Sequence, residues 1–143
     1  MTDVESFRML GSSIISDVLD EAGYHSQTID PLINSMGSCQ PFCGRAACVR
    51  GERRVATRTI ALEGCYTPMY ALPTLVRAGS VLVFAVGGFR GGAVIGSLIA
   101  RDLAELKVVA FITDGYVRDR DHLAGGSLPI RAAGVIPTNG ARR

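Results

Sequence analysis

The residues best suited to chemistry in this 143-residue sequence lie in two turns, each of which follows an apolar run. A glycine-rich turn, residues 87–92, follows the run 81–86, and a charged turn, residues 114–121, follows the run 108–113. Glycine lets the backbone approach a ligand closely, and a helix N-terminus after such a turn favours an anion. The charged turn offers a guanidinium suited to a carboxylate and oxygens suited to a hard metal ion. These residue types indicate a site for an anion and a divalent cation.

The elements that position these turns follow from the apolar pattern. Both runs are short and continuously apolar, which predicts strands buried on both faces. Residues 93–106 between them are predicted to form a helix, with these side chains inward: Val94, Leu98, Ile99, Leu103 and Leu106. A strand, helix and strand of this kind form a right-handed parallel crossover, and both strands end at one sheet edge. The two turns should therefore open toward one crevice.

Neither turn by itself is sufficient to indicate a functional site. The glycine cluster matches neither the dinucleotide-binding nor the P-loop spacing, so it does not predict nucleotide binding. The Arg-Asp-Arg-Asp run at 118–121 is more often a solvated surface. His122 is a candidate acid or base, although a histidine among charged loop residues is commonly only solvated, and Asp17 is expected on a polar helix surface. The expected convergence on one edge is what favours a site.

The rest of the chain predicts an α/β fold, a compact layered domain with a mixed sheet and the parallel crossover at its centre. Residues 12–22 form an amphipathic helix, with Ser12 or Ser13 as N-cap and Gly23 as its stop, on whose apolar face lie Ile14, Ile15, Val18, Leu19 and Ala22. Residues 24–44 are expected to be a loop with a short strand, residues 46–50 and 55–62 a hairpin, and residues 68–78 a short helix. One domain, residues 1–143, is expected.

Composition excludes several classes of function. The net charge of +2 comes from 15 basic and 13 acidic residues without a basic stripe, so no nucleic-acid partner is expected. Lys107, the single lysine, falls at a predicted helix end, which disfavours Schiff-base catalysis. The N-terminus carries no secretory signal and no apolar stretch approaches about 20 residues, so a cytoplasmic protein without a membrane span is expected. The four cysteines form no C-x-x-C pair, which favours mostly buried thiols over zinc.

Two motifs make the sequence resemble a known family. Residues 96–100, GSLIA, resemble the G-[DE]-L-x-A motif of the RraA-like family, and residues 114–119, DGYVRD, match its D-G-x-x-R-D motif. The resemblance extends to residues 78–83, 44–46 and 16–20, and so covers nearly the whole chain. The family contains class II 4-hydroxy-4-methyl-2-oxoglutarate/4-carboxy-4-hydroxy-2-oxoadipate aldolases and the regulator of ribonuclease E activity.

The resemblance implies a role for each matching residue. In the aldolases the arginine matching Arg118 binds the pyruvyl group, the aspartate matching Asp119 ligates a divalent metal, and amides matching Leu98 and Ile99 hold the substrate carboxylate. This implies a lyase dependent on Mg²⁺ or Mn²⁺, with Arg118 and Asp119 as catalytic residues. It would release pyruvate from a 4-hydroxy-2-oxo acid, or decarboxylate oxaloacetate. A homotrimer or a dimer of trimers is also implied.

The sequence departs from the aldolases at two points. Ser97, which we place with the substrate-binding residues, occupies the acidic position that orients a metal-bound water. The aldolases also continue past the position of Arg143, so the domain is expected to be C-terminally short. The alternative function is that of a noncatalytic RraA-type regulator that binds a protein partner such as ribonuclease E. Methyl transfer to demethylmenaquinone, a name also attached to similar sequences, is supported by no methyl-donor motif.

Overall fold

A computed structural model describes residues 3–38, 40–51 and 72–140 of the chain. The helices among these residues are α1 (Asp3–Arg8), α2 (Ser12–Glu21), α3 (Ser97–Glu105), α4 (Arg120–Ala124) and a 3₁₀ turn at Leu72–Leu75. The strands are β1 (Asn34–Ser35), β2 (Arg45–Arg50), β3 (Ser80–Ala85), β4 (Ala110–Thr113), β5 (Tyr116–Val117), β6 (Ile130–Ala132) and β7 (Gly134–Val135).

The larger sheet is mixed and has the strand order β1-β6-β4-β3-β2. Strand β3 is parallel to both β2 and β4, β4 is parallel to β6, and β1 joins the edge in the antiparallel sense. Helix α3 connects β3 to β4, and these two strands are neighbours with Val81 opposite Ala110 and Phe84 opposite Thr113. The predicted α/β class and its parallel crossover are therefore confirmed. Strands β5 and β7 form a second, two-stranded parallel sheet.

The core lies on both faces of the large sheet, which explains why its central strands are continuously apolar. One face packs Leu82, Phe84 and Phe111 against helix α3, and the rings of Phe84 and Phe111 meet edge to face at 6.5 Å. A smaller cluster on the other face contains Val81, Ala110 and Ile112. Alternating side chains point to opposite faces of a strand, so only a continuous apolar run can fill both clusters. This packing fixes the ends of β3 and β4 at one edge.

Helix α3 begins later than the sequence pattern predicts. Residues 93–95 lie outside the helix, because the Val94 N–H donates to the Tyr116 carbonyl and the Arg118 N–H donates to the Ile95 carbonyl. This pairing with a distant segment replaces the first helical turn that the apolar periodicity predicts. The inward face also differs, since Leu98 and Leu106 are 59% and 43% exposed, and the buried residues are Ile99, Ala100 and Leu103. Lys107 is exposed just beyond the helix, as predicted.

Helix α2 forms where the sequence predicts it, but the described part of the chain covers its apolar face only in part. Gly23 ends the helix with φ +86°, and its N–H and that of Tyr24 donate to the Asp20 and Leu19 carbonyls. The N-cap is Gly11 rather than a serine, and no side chain caps the helix. Ile14 and Val18 are more than half exposed. The helix is therefore stabilised by few tertiary contacts within the described part of the chain.

The remaining predictions are met in part. The loop 24–44 contains the expected short strand, β1. Strand β2 corresponds to the first arm of the predicted hairpin, whereas the second arm, residues 55–62, and residues 68–71 of the predicted helix lie outside the described residues. Of the two described cysteines, Cys43 is half-buried and Cys48 is exposed, so burial of the thiols was wrong for Cys48. Within the described ranges, no helix is both long and apolar enough to cross a membrane.

Candidate functional site

The glycine turn after β3 binds a carboxylate from its own chain. The backbone N–H groups of Val86 and Gly88 donate to the two oxygens of Asp114, at 2.6 and 2.8 Å. Gly87 and Gly88 have φ +62° and +69°, a left-handed backbone that glycine adopts without strain. The two turns therefore meet, as the parallel crossover predicts. The glycine turn does not lead directly into helix α3, which begins only at Ser97. The anion that the turn binds is the carboxylate of Asp114.

Asp119, at the far end of the charged turn, lies at the N-terminus of α3. The pairing of residues 116–118 beside residues 93–95 brings it there. Its Oδ2 atom accepts hydrogen bonds from the N–H and the hydroxyl of Ser97, each at 3.0 Å. Gly96, the N-cap residue, has no side chain with which to cap the helix. Asp119 therefore supplies from another segment the acceptor that a helix N-terminus needs.

The surroundings of Asp119 keep its carboxyl group ionised. The backbone hydrogen bond from Ser97 is the main cause that holds the pKa of Asp119 below its ordinary value of 3.8. The Ser97 hydroxyl and the charges of Arg118 and His122 lower this pKa further, and partial burial opposes them. The Arg118 Nε atom lies 3.8 Å from Asp119 Oδ2, and both side chains are about one-third exposed. The pair can therefore contact a ligand from solvent.

Gly96 allows Arg118 and Asp119 to approach the helix this closely. A Cβ atom at position 96 would lie 2.7 Å from both Arg118 Nε and Asp119 Oδ2. Any larger residue would displace the two side chains from the end of α3. Gly96 opens the GSLIA motif, whose sequence alone does not indicate this role. Its position just before the predicted binding amides was the available signal.

Leu98 and Ile99 are the second and third residues of α3. The first N–H groups of a helix have no acceptor within the helix, and of these the Ser97 N–H is taken by Asp119. The N–H groups of Leu98 and Ile99 thus stay available for an external anion. The structure therefore brings all five predicted site residues to one helix end: Ser97, Leu98, Ile99, Arg118 and Asp119.

A groove of about 370 Å³ adjoins this helix end and runs along α3 toward α4 and β6. Its lining includes Ser97 and Leu98, but neither Arg118 nor Asp119. His122 lines it as well, whereas Asp17 lies apart on the exposed surface of α2. The groove and the Arg118–Asp119 pair are thus adjacent features that share Ser97. Sequence periodicity gave no sign of the groove, because residues of three separate elements line it.

The carboxylate of Asp119 fits a magnesium ion that takes most of its ligands from water and substrate. Within the described ranges, no group of three or more histidine, cysteine, aspartate or glutamate side chains could hold a metal. Mg²⁺, however, commonly binds one or two carboxylates and completes its shell with water and substrate oxygens. Asp119 is ionised, and the hydrogen bonds from Ser97 reach only its Oδ2 atom. One carboxylate with an available oxygen satisfies this minimal requirement.

Solved structures similar to the chain share its fold. An uncharacterized protein from Pseudomonas syringae pv. tomato matches 98% of this chain with a TM-score of 0.77 and 22% identity. Streptomyces coelicolor RraAS2, described as an unusual member of the RNase ES inhibitor RraA protein family, matches 98% with a TM-score of 0.79 and 20% identity. The RNA-processing inhibitor RraA from Thermus thermophilis matches 91% with a TM-score of 0.67 and 23% identity. The chain spans 59%, 67% and 70% of these proteins, respectively.

Sequence comparison gives the family. No curated protein sequence matches the chain. The sequence model of the RraA-like family, described as Aldolase/RraA, matches residues 12–143, which include all of the site residues described above. Since this match covers more than half of the sequence, the chain belongs to the RraA-like family.

Proposed function

We propose that the protein is a lyase dependent on Mg²⁺ or Mn²⁺ that acts on a 2-oxo acid. It would cleave a 4-hydroxy-2-oxo acid with release of pyruvate, or decarboxylate oxaloacetate. The observation that carries the proposal is the ionised Asp119 carboxylate, held beside Arg118 at the N-terminus of α3. The RraA-like family includes magnesium-dependent aldolases, which supports the same chemistry.

Each group at the helix end has a defined task in this reaction. The N–H groups of Leu98 and Ile99 would receive the C1 carboxylate of the substrate, because a helix N-terminus favours an anion. Asp119 would hold the divalent ion, which when bound acts as a Lewis acid toward the C2 carbonyl. Arg118 would stabilise the negative charge that gathers on the C2 oxygen as the carbon–carbon bond breaks. Lys107, the single lysine, is exposed beyond the far end of α3, which disfavours a Schiff-base mechanism.

We also propose that the protein assembles as a homotrimer or a dimer of trimers. Large apolar side chains of the N-terminal segment are about half exposed or more, namely Phe7, Met9, Leu10, Ile14 and Val18. A cluster of exposed apolar residues is typical of an association surface. Light scattering at micromolar concentration should give at least three times the mass of one chain. A monomer mass would contradict this proposal.

A pyruvate-release assay with oxaloacetate tests the lyase proposal. The wild-type protein should release pyruvate faster than the buffer rate in the presence of Mg²⁺ or Mn²⁺, and a chelator should remove the activity. Asp119→Asn keeps the size of the side chain and an oxygen acceptor for Ser97 but loses the charge, so it should reduce the rate to background.

The noncatalytic regulator is the alternative, and the hydroxyl of Ser97 in place of a carboxylate favours it. Equal background rates for the wild type and Asp119→Asn would reject the lyase proposal. Direct binding to ribonuclease E would then become the measurement of interest.

A further inference from the structure

His122 lies one helical turn beyond Asp119, on the short helix α4. Asp119 is the N-cap residue of this helix, and its carbonyl accepts the N–H of Leu123 at 3.0 Å. The third residue of a helix lies beside the N-cap residue, which is why the side chains at these two positions interact in a capping box. The charge of His122 is among the causes that lower the pKa of Asp119. The imidazole is therefore close to the carboxylate of the proposed site.

The groove along α3 brings His122 and Ser97 to one space. Ser97 lines the groove from the first position of α3, and His122 lines it from α4. Leu123, Leu128 and Ile130 also line it and are almost fully buried, so part of its surface is apolar. His122 itself is exposed, so a ligand in the groove can reach its ring. An imidazole thus faces a space that starts at the proposed site.

Among the described residues that line the groove, His122 is the one suited to accept a proton near neutral pH. These residues include no aspartate or glutamate, and the guanidinium of Arg101 has donors only. The hydroxyls of Ser97 and Ser127 are poor bases, and that of Ser97 donates to Asp119 Oδ2 at 3.0 Å. A neutral imidazole has one nitrogen that can accept a proton. The groove therefore holds one candidate base.

Retro-aldol cleavage needs a base at a defined atom of the substrate. A proton must leave the C4 hydroxyl as the C3–C4 bond breaks, and the hydroxyl oxygen then becomes a carbonyl oxygen. The bonding electrons move through C3 to the C2 oxygen beside Arg118, and C3 finally takes up a proton to give pyruvate. A substrate whose C1 carboxylate meets the first amides of α3 has the adjoining groove for its carbon atoms beyond C2. Its C4 hydroxyl would then face His122.

We propose that His122 is a catalytic residue of the retro-aldol reaction, the base that takes the proton of the C4 hydroxyl and returns it to C3. The inference rests on the proposed function and adds a residue to it. The proton that leaves oxygen is the one that reaches carbon, so no other reagent is consumed. Oxaloacetate loses its C4 carboxylate as CO₂ and has no C4 hydroxyl to deprotonate. His122 should therefore separate the two reactions.

Parallel assays of the whole protein with 4-hydroxy-4-methyl-2-oxoglutarate and oxaloacetate, each with Mg²⁺, test this role. His122→Gln should lower the ratio of the cleavage rate to the decarboxylation rate by about a hundredfold, the lower end of what a general base contributes. His25→Gln is the matched control, because His25 is an exposed histidine that does not line the groove, and it should keep the wild-type ratio. Equal losses with both substrates, or an unchanged ratio in His122→Gln, would overturn the role of His122.

A measurement without turnover checks that His122 faces the substrate. The chain has two histidines, so NMR should show two sets of imidazole signals, which the two glutamine variants assign. Pyruvate, the unreactive product, should shift the signals of His122 in the presence of Mg²⁺ and leave those of His25 in place. Signals of His122 that stay unmoved at a pyruvate concentration that inhibits the reaction would also overturn the proposal.

The same assays separate this role from the lyase proposal. If the wild type shows Mg²⁺-dependent release of pyruvate but His122→Gln keeps the ratio of the two rates, the role of His122 is wrong and the lyase proposal stands. If cleavage depends on His122 but neither a chelator nor Asp119→Asn affects it, the role of His122 stands and the metal-dependent mechanism is wrong. If neither substrate releases pyruvate above the buffer rate, both are wrong.

Discussion

Asp114 and Asp119 begin and end the same six-residue motif, yet the structure uses their carboxylates differently. Both oxygens of Asp114 accept backbone N–H groups of the turn after β3, which ties that turn to the end of β4. Asp119 receives both of its hydrogen bonds on one oxygen, from a single residue. Both oxygens of Asp114 thus serve to hold the fold together, whereas Asp119 keeps one oxygen available for a ligand. The spacing of the motif does not distinguish the structural carboxylate from the ligand-binding one. The distribution of hydrogen-bond donors around each carboxylate does.

The largest effect should follow from removing Arg118, the cation beside Asp119. Arg118→Ala should lower the rate of pyruvate release by about a hundredfold to a thousandfold, the usual cost of losing one donor to a developing oxyanion. Steady-state assays with oxaloacetate and Mg²⁺ measure this rate. Arg120→Ala is the matched control, because Arg120 is an exposed arginine two positions away. If Arg120→Ala lowers the rate of pyruvate release as much as Arg118→Ala does, Arg118 has no special role in the reaction.

A loss of stability should distinguish Asp114 from Asp119. Asp114→Ala leaves two backbone donors without their charged acceptor and should cost about 2–3 kcal/mol of unfolding free energy. Asp119→Ala removes an exposed helix cap and should cost only about 1 kcal/mol. Urea unfolding measures both, with Asp17→Ala on the exposed face of α2 as a control within about 0.5 kcal/mol of wild type. A cost for Asp119→Ala above that for Asp114→Ala would reverse the assignment.

Ser97→Asp should strengthen the binding of a metal ion at Asp119. A second carboxylate where the Ser97 hydroxyl now lies 3.0 Å from Asp119 Oδ2 would repel it, so the metal-free protein should unfold at a lower temperature. Mg²⁺ relieves this repulsion and should bind about tenfold more tightly than to wild type, with faster pyruvate release.

Ser97→Asn is the neutral control for this substitution. Thermal unfolding with and without Mg²⁺ compares the two variants. If Mg²⁺ raises the unfolding temperature of both equally, the carboxylate at position 97 does not join Asp119 in binding the metal ion.

The sequence predicted those parts of the fold that depend on local apolar pattern. Strands β3 and β4 follow from continuous apolar runs, and their parallel order follows from the helix between them. The start of α3 could not be predicted in this way, because it is set by hydrogen bonds from residues 93–95 to residues 116–118. Such pairing depends on tertiary contacts, which helical periodicity does not register.

The site was predictable to a similar extent. Parallel strands explain why the two turns meet, and a family motif indicated Arg118 and Asp119. The occupant of the glycine turn was missed, because Asp114 lies 28 residues from Val86 and could equally have pointed to solvent. The exposure of Leu98 was also missed, since the predicted helix began four residues too early and the inward face was rotated.

The smallest expected effect is the pH dependence of stability that Asp119 contributes. Its folded-state pKa lies below the ordinary value of 3.8, so its ionised form stabilises the folded protein. This contribution is fully present above the ordinary pKa and is lost as the pH falls through the folded pKa. The difference in unfolding free energy between wild type and Asp119→Asn should therefore be constant at neutral pH and shrink below about pH 4. Urea unfolding between pH 3 and 7 measures it.

Ser97→Ala tests the cause of this pH dependence. The variant removes the hydroxyl donor to Asp119 but keeps the backbone N–H of residue 97, which is the main cause of the lowered pKa. The pH dependence due to Asp119 should therefore weaken in Ser97→Ala and persist. Its complete loss would show that the hydroxyl, rather than the end of helix α3, holds the charge. A difference that grows in acid would mean that the pKa of Asp119 is raised, and the carboxylate would then be a poor ligand for a divalent ion at neutral pH.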